Sequence, residues 1–276
     1  RDRIIRAGLG TLARTGLHHW LAPVVGGIGA VFMLHHVRPV RDGAFQPNRL
    51  LEITPEFLHA TLSFLKAEGI EVITLDEMHH RLRSGATGRR FACLTFDDGY
   101  RDNRDVALPI LREFDAPATV YIASEFAAGH GRLWWVALER LIAASNRIAV
   151  DIDGCERRFD ATTLEGKRAA FADLNGWVLA QADDRAATRA VSDWCARHGI
   201  DDAAISTELC MSWDELRTFA TDPLITIGAH TVSHCNLAKQ DEATARAEMA
   251  DSRERIGAAL GREVTHFAYP YGYRSA

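Results

Sequence analysis

"FACLTFDDGY", residues 91–100, decides how the rest of the chain is read. Phe91 to Phe96 are apolar apart from Thr95, and the run stops on two adjacent acids, Asp97 and Asp98, with Gly99 next. A short apolar run bounded by a turn signal reads as a strand covered on both faces, as parallel strands are. Similar runs recur at "AVFMLHH" (30–36), "EVITL" (71–75), "ATVYIA" (118–123), "LITIGAH" (224–230) and "THFAYP" (265–270). Helical patterns lie between them. "TPEFLHATLSFLKAEG" (54–69) has a Thr cap, Pro at the first helical position and a terminal Gly. "DNRDVALPILREFD" (102–115) reads as a helix broken near Pro109, and "DEATARAEMADSRERIGAALGR" (241–262) as one ending at Gly261. The alternation predicts an α/β fold.

Outward from that frame, residues 1–19 read as a helix. "WLAPVVGGIGAVFML" (20–34), with a proline and three glycines and too short to span a membrane, reads as a loop feeding a core strand. Residues 1–29 are thus a lead-in and 30–276 the main domain. Residues 125–223 interrupt the rhythm with a hairpin, "RIAVDIDGCERRF" (147–159), turning at Asp153-Gly154, followed by helical stretches. They read as an insertion, a cap over the active face. The paired Trp of "LWWVALERL" (133–141) could offer a stacking face, but Trp among Leu at helical spacing reads better as core.

A length of 276 residues fits one large domain with a sizeable core. Apolar residues at 47% and charged ones at 25% are those of a globular protein, and a net charge of −5 gives no footprint for nucleic acid. The five cysteines are odd in number and form no CxxC pair, which argues for reduced thiols and against a zinc knuckle. With no cleavage-site pattern, this tilts the reading toward the cytoplasm. The chain does not begin with Met, which suggests a fragment or a trimmed chain.

Two carboxylates side by side repel, and burying them uncompensated is expensive. A divalent cation held by one would leave the other free as a base, although Asp-Asp-Gly is also good turn chemistry. In "GAHTVSHCN" (228–236), His230 and His234 are four apart, a spacing that a helical turn would bring to one face and that suits metal ligation. Alone, the pair would be surface histidines. Together with acids at another strand end, it points to a metal site. One Asp and two His with open positions also suit non-haem iron, but an acid next to a ligand favours metal-assisted hydrolysis. In "FAYPYGY" (267–273), Pro270 and Gly272 fix a tight turn that could aim the Tyr271 amide N–H at an oxyanion. By itself this would be an aromatic turn.

"TFDDGY" (95–100), "HTVSH" (230–234) and "FAYPYG" (267–272) resemble the first three motifs of the polysaccharide deacetylases, carbohydrate esterase family four, with its nodulation-type deacetylase homology domain. The resemblance covers roughly residues 30–124 and 212–276. It implies a distorted (β/α) barrel and metal-dependent hydrolysis of N-acetyl groups on a glycan or glycolipid sugar. Carried over, Asp97 is the base, Asp98, His230 and His234 hold the metal, and the backbone of Tyr271 serves the oxyanion. Zinc is the default cation, with cobalt, nickel or manganese as alternatives. Family members often carry an Arg that braces the base where this chain has Ala268; Arg101 and Arg104 are the substitutes nearest in sequence. The later family motifs, which supply the general acid, have no counterpart after Tyr271. "FMLHHVRP" (32–39) is similar to the first strand of circularly permuted members, so His35 is the general-acid candidate, ahead of His36. Two other readings are a metal-free hydrolase of small amides, which loss of a metal ligand would signal, and a non-catalytic sugar-binding barrel, which loss of Asp97 would signal. Neither loss occurs.

Overall fold

The computed structural model describes residues 2–17, 20, 26–85 and 88–272. The chain opens with helix α1 (Asp2–Thr15), then strands β1 (Gly29–Leu34), β2 (His36–Val37) and β3 (Glu52–Ile53). Helix α2 (Pro55–Ala67), strand β4 (Glu71–Val72), helix α3 (Leu75–Ser84) and strand β5 (Phe91–Phe96) follow. A π-helical turn (Asn103–Ala107) leads into α4 (Leu108–Glu113) and then β6 (Ala118–Ile122). Pro109 explains that turn, because a ring without an N–H cannot close the regular ladder.

β5 lies within the parallel sheet. β1 runs along one side of it, in register from Gly29 opposite Phe91 to Leu34 opposite Phe96. On the other side β4 pairs with the start of β5 and β6 with its end. β9 (Ile225–Ala229) extends the sheet beyond β6. Every residue of β5 and β6 is buried. One core fills the space between sheet and helices, with Leu58 and Leu62 from α2, Leu94 and Phe96 from β5 and Ile122 from β6. The α/β architecture expected from the alternation is present, and α2 is capped as expected, the Thr54 hydroxyl accepting the Phe57 N–H at 3.1 Å.

Three local expectations need correction. The apolar run 71–75 is a two-residue strand, and Thr74 caps α3 through the Glu77 N–H at 3.1 Å. Residues 265–270 form only an isolated bridge, Phe267 to Ala229, because Pro270 has no N–H and Tyr271 turns left-handed. β1 is not covered on both faces: among the described residues it pairs only with β5, and Val31 and Met33 are 48% and 65% exposed. Residues 21–25 of the apolar lead-in lie outside the described residues.

Between β6 and β9 the chain builds a second core. Helices α5 (Ser124–Ala127) and α6 (Trp134–Ala144) precede the hairpin β7 (Arg147–Ile152) and β8 (Cys155–Asp160). The hairpin turns at Asp153 and Gly154, both with positive φ, as the Asp-Gly pair predicts. Helices α7 (Leu164–Ala180), α8 (Asp184–Arg197), α9 (Ala204–Leu209) and α10 (Trp213–Phe219) complete the stretch, and α11 (Glu242–Leu260) follows β9. Trp134 and Trp135 are buried in this second core with Leu138 and Trp194. Among the described residues no helix is long and apolar enough to cross a membrane.

Candidate active site

The candidate residues gather at the carboxyl ends of the parallel strands, where open α/β sheets place their sites. The register explains part of this. Leu34 lies opposite Phe96, so the next residues along, His35 and Asp97, become neighbours. His35 Nε2 is 4.0 Å from Asp97 Oδ2. Asp98 and Gly99 both take positive φ, 71° and 70°, which turns the chain sharply and sends the two carboxylates different ways. Gly99 is required there for a second reason: a Cβ would lie 2.7 Å from Ile122 Cδ1.

Asp98 faces the two histidines. Its Oδ1 is 3.2 Å from His234 Nε2 and 3.7 Å from His230 Nε2. One donor atom from each of the three residues lies within 4.8 Å of the others. His230 Nδ1 is 3.0 Å from the Ala268 carbonyl, an acceptor, so it carries the proton and Nε2 is left with its lone pair toward Asp98. The His230–His234 spacing does not act through a helical turn. The loop between them bends at Thr231 and His234, both left-handed. The ring of His234 packs against Phe126, Trp135 and Tyr271 at centroid distances of 5.6, 5.0 and 5.2 Å.

The electrostatics separate the two acids. Burial, then the charge of Asp98, pushes Asp97 up to about 8. Burial also opposes ionisation of Asp98, but the neighbouring imidazoles, His234 foremost, outweigh it and hold Asp98 below the usual carboxylate range. Burial, then His234, lowers His230 to about 3, so its imidazole is neutral. Burial likewise lowers His35.

The brace expected at Arg101 or Arg104 is elsewhere. Both guanidiniums bind Glu215 at 2.8 Å, and Asp97 Oδ1 is buried without a hydrogen-bond partner. His36 is committed too: its Nδ1 is 2.6 Å from Asp102 Oδ2 and its ring stacks on Tyr100 at 3.5 Å. Tyr271 takes φ +66°, and Trp134 Nε1 donates to its hydroxyl at 3.1 Å. A cavity of about 420 Å³ opens beside His234, Trp134 and Tyr271, lined also by the start of α8 and the loop after β9. The sequence reading missed Tyr100. It is fully buried, and its hydroxyl is pushed well up by burial and by the charge of Asp98; its place directly after "TFDDG" was the available signal.

The polysaccharide deacetylase family model matches residues 84–151 and 175–276, more than half of the chain. The chain belongs to the polysaccharide deacetylase family. The deacetylase is therefore a hydrolase of the amide bond that joins an acetyl group to a polysaccharide. The matched residues include Asp97, Asp98, His230, His234 and Tyr271 but not His35. The deacetylase PplD of Streptococcus pyogenes, solved with acetate, superposes with a TM-score of 0.53 at 16% identity, over 88% of this chain and 74% of that one. A de-N-acetylase from Aggregatibacter actinomycetemcomitans gives 0.51 at 14% identity, over 89% and 80%. IcaB from Ammonifex degensii gives 0.50 at 17%, over 90% and 76%. At these identities the likeness is one of fold. No curated protein sequence matches the chain significantly.

Proposed function

We propose that the deacetylase removes N-acetyl groups from an N-acetylated polysaccharide, oligosaccharide or glycolipid sugar by metal-assisted hydrolysis. The observation that carries this reading is the convergence of Asp98, His230 and His234 within 4.8 Å, with Asp97 covalently adjacent and outside the set. The three residues fit a cation. Asp98 Oδ1 is buried and makes no hydrogen bond of good geometry, although two imidazole nitrogens stand close by. One carboxylate oxygen and two imidazoles suit zinc, with cobalt, nickel or manganese as alternatives. A divalent cation held there supplies Lewis-acid polarisation of the acetyl carbonyl and lowers the pKa of a water.

The chain's own groups do the rest. Positive charge at Asp98 offsets the like-charge repulsion on Asp97 and favours its basic form. Asp97 takes the proton of the attacking water. The Tyr271 backbone N–H donates to the oxyanion as the carbonyl becomes tetrahedral. His35, 4.0 Å from Asp97, relays the proton that Asp97 has taken from the water to the departing amine nitrogen. The 420 Å³ cavity beside His234 falls within the roughly 300–1,000 Å³ of small-ligand pockets and offers room for a sugar.

The test is acetate release from N-acetylglucosamine oligomers, polymers and an N-acetylated glycolipid, by protein stripped of metal and reloaded with zinc, cobalt, nickel or manganese. Release that depends on the cation supports the reading; equal release from stripped and loaded protein overturns it. His35→Ala is expected to lower turnover by about 10²-fold or more, the scale of a general-acid contribution, with bound metal unchanged. Full turnover in the metal-replete variant removes His35 from the mechanism.

A further inference from the structure

The loop carrying His230 and His234 is strained. Thr231 and His234 take φ values of +64° and +59°, a conformation that side chains with a Cβ disfavour. Such strain persists where the surroundings over-determine it. Glu248, on α11, does so. Its side chain is 5% exposed, yet it sits among amides and hydroxyls. Oε2 accepts the Val232 N–H at 2.9 Å and the Ser233 N–H at 3.0 Å. Oε1 accepts the Ser233 hydroxyl at 2.8 Å and the Arg185 guanidinium at 3.0 Å.

Two successive backbone N–H groups on one carboxylate oxygen form an anion nest, and hydrogen bonds to a charged acceptor are about twice as strong as neutral ones. From the other side the loop is held by α5: Glu125 donates its N–H to the Val232 carbonyl at 2.9 Å, and Ser124 to the Thr231 carbonyl at 3.3 Å. The loop is thus fastened on two sides immediately before His234. A buried carboxylate is kept only where its charge is used, and here every hydrogen bond but one goes to the metal-ligand loop.

We propose that Glu248 is a positioning residue of the metal site, which fixes the Nε2 atoms of His230 and His234 by gripping the amides of Val232 and Ser233. This rests on the metal-site reading above. The measurement is the dissociation constant of Co²⁺ or Zn²⁺ by chelator competition, beside the melting temperature of the metal-free protein. Glu248→Ala is expected to weaken metal binding by about ten- to a hundredfold, the usual range for partners that orient ligands. Glu248→Gln keeps one acceptor for the two amides and is expected to lose less; it also serves as the test should the Ala variant not fold. Glu242→Gln, in an exposed ion pair with Arg246 on the same helix, is the control and is expected to bind metal like the wild type. A purely structural Glu248 would lower the melting temperature and leave the dissociation constant of the folded variants unchanged, and that result overturns the proposal. Wild-type protein that takes up no divalent cation overturns the metal-site reading itself, which separates the two failures.

Discussion

Asp97→Asn is expected to lower kcat by about 10²- to 10⁴-fold, the contribution of a positioned general base, while metal content stays at the wild-type level. The substitution is close to isosteric and removes only the ability to take a proton. It also removes an anion that would attract a cation held at Asp98, so metal affinity is expected to hold or to fall slightly. Loss of kcat with retained metal identifies a base; loss of both would mean that Asp97 itself ligates the cation. Undiminished kcat in Asp97→Asn would remove it from the chemistry altogether. The carboxylate is buried with one oxygen unpartnered, and neither Arg101 nor Arg104 reaches it. Its only near charge partner among the described residues is His35, so the pH dependence of the double variant His35→Ala/Asp97→Asn should match that of the more damaging single one.

Asp98→Ala is expected to abolish both stoichiometric metal binding and acetate release, a larger effect than loss of the base. Its carboxylate is the only acid of the three-residue set, and without it two imidazoles remain. Asp98→Asn separates charge from backbone, since Asn tolerates the φ of +71° that Ala does not. The Asn variant should therefore fold like the wild type and still lose most of its metal, measured as metal per protein after gel filtration. Stoichiometric zinc in Asp98→Asn would place the cation elsewhere.

The site was more legible than the scaffold around it, for a physical reason. Strand-end acids and histidines stand out because an apolar run has no other use for them, and parallel strands bring their carboxyl ends together whatever the loops do. Asp97, Asp98 and His230 were picked out on that ground and His234 by its spacing, whereas the part assigned to each of them, and to Tyr271, came from the family resemblance. What escaped the reading depended on neighbours. Thr74 is β-branched and extends an apolar run, so the cap of α3 passed for a strand residue. β1 has a core composition, and nothing in its letters says that it lies exposed beside β5. The histidine spacing suggested a helix because the sequence hides two left-handed residues that are neither Gly nor Asn. Glu248 escaped because the buried stripe of α11 is Glu248, Ser252 and Ile256, two polar residues of three, so no apolar periodicity marks it.

The pair of buried indoles against the site has an optical consequence. Trp135 stands 5.0 Å from the ring of His234, and Trp134 stands edge-on to Trp135 at 5.9 Å. An open-shell ion such as Co²⁺ bound to that imidazole would quench their emission, whereas closed-shell Zn²⁺ would not. Such quenching would serve as a gauge of occupancy at the proposed site, readable without label or substrate.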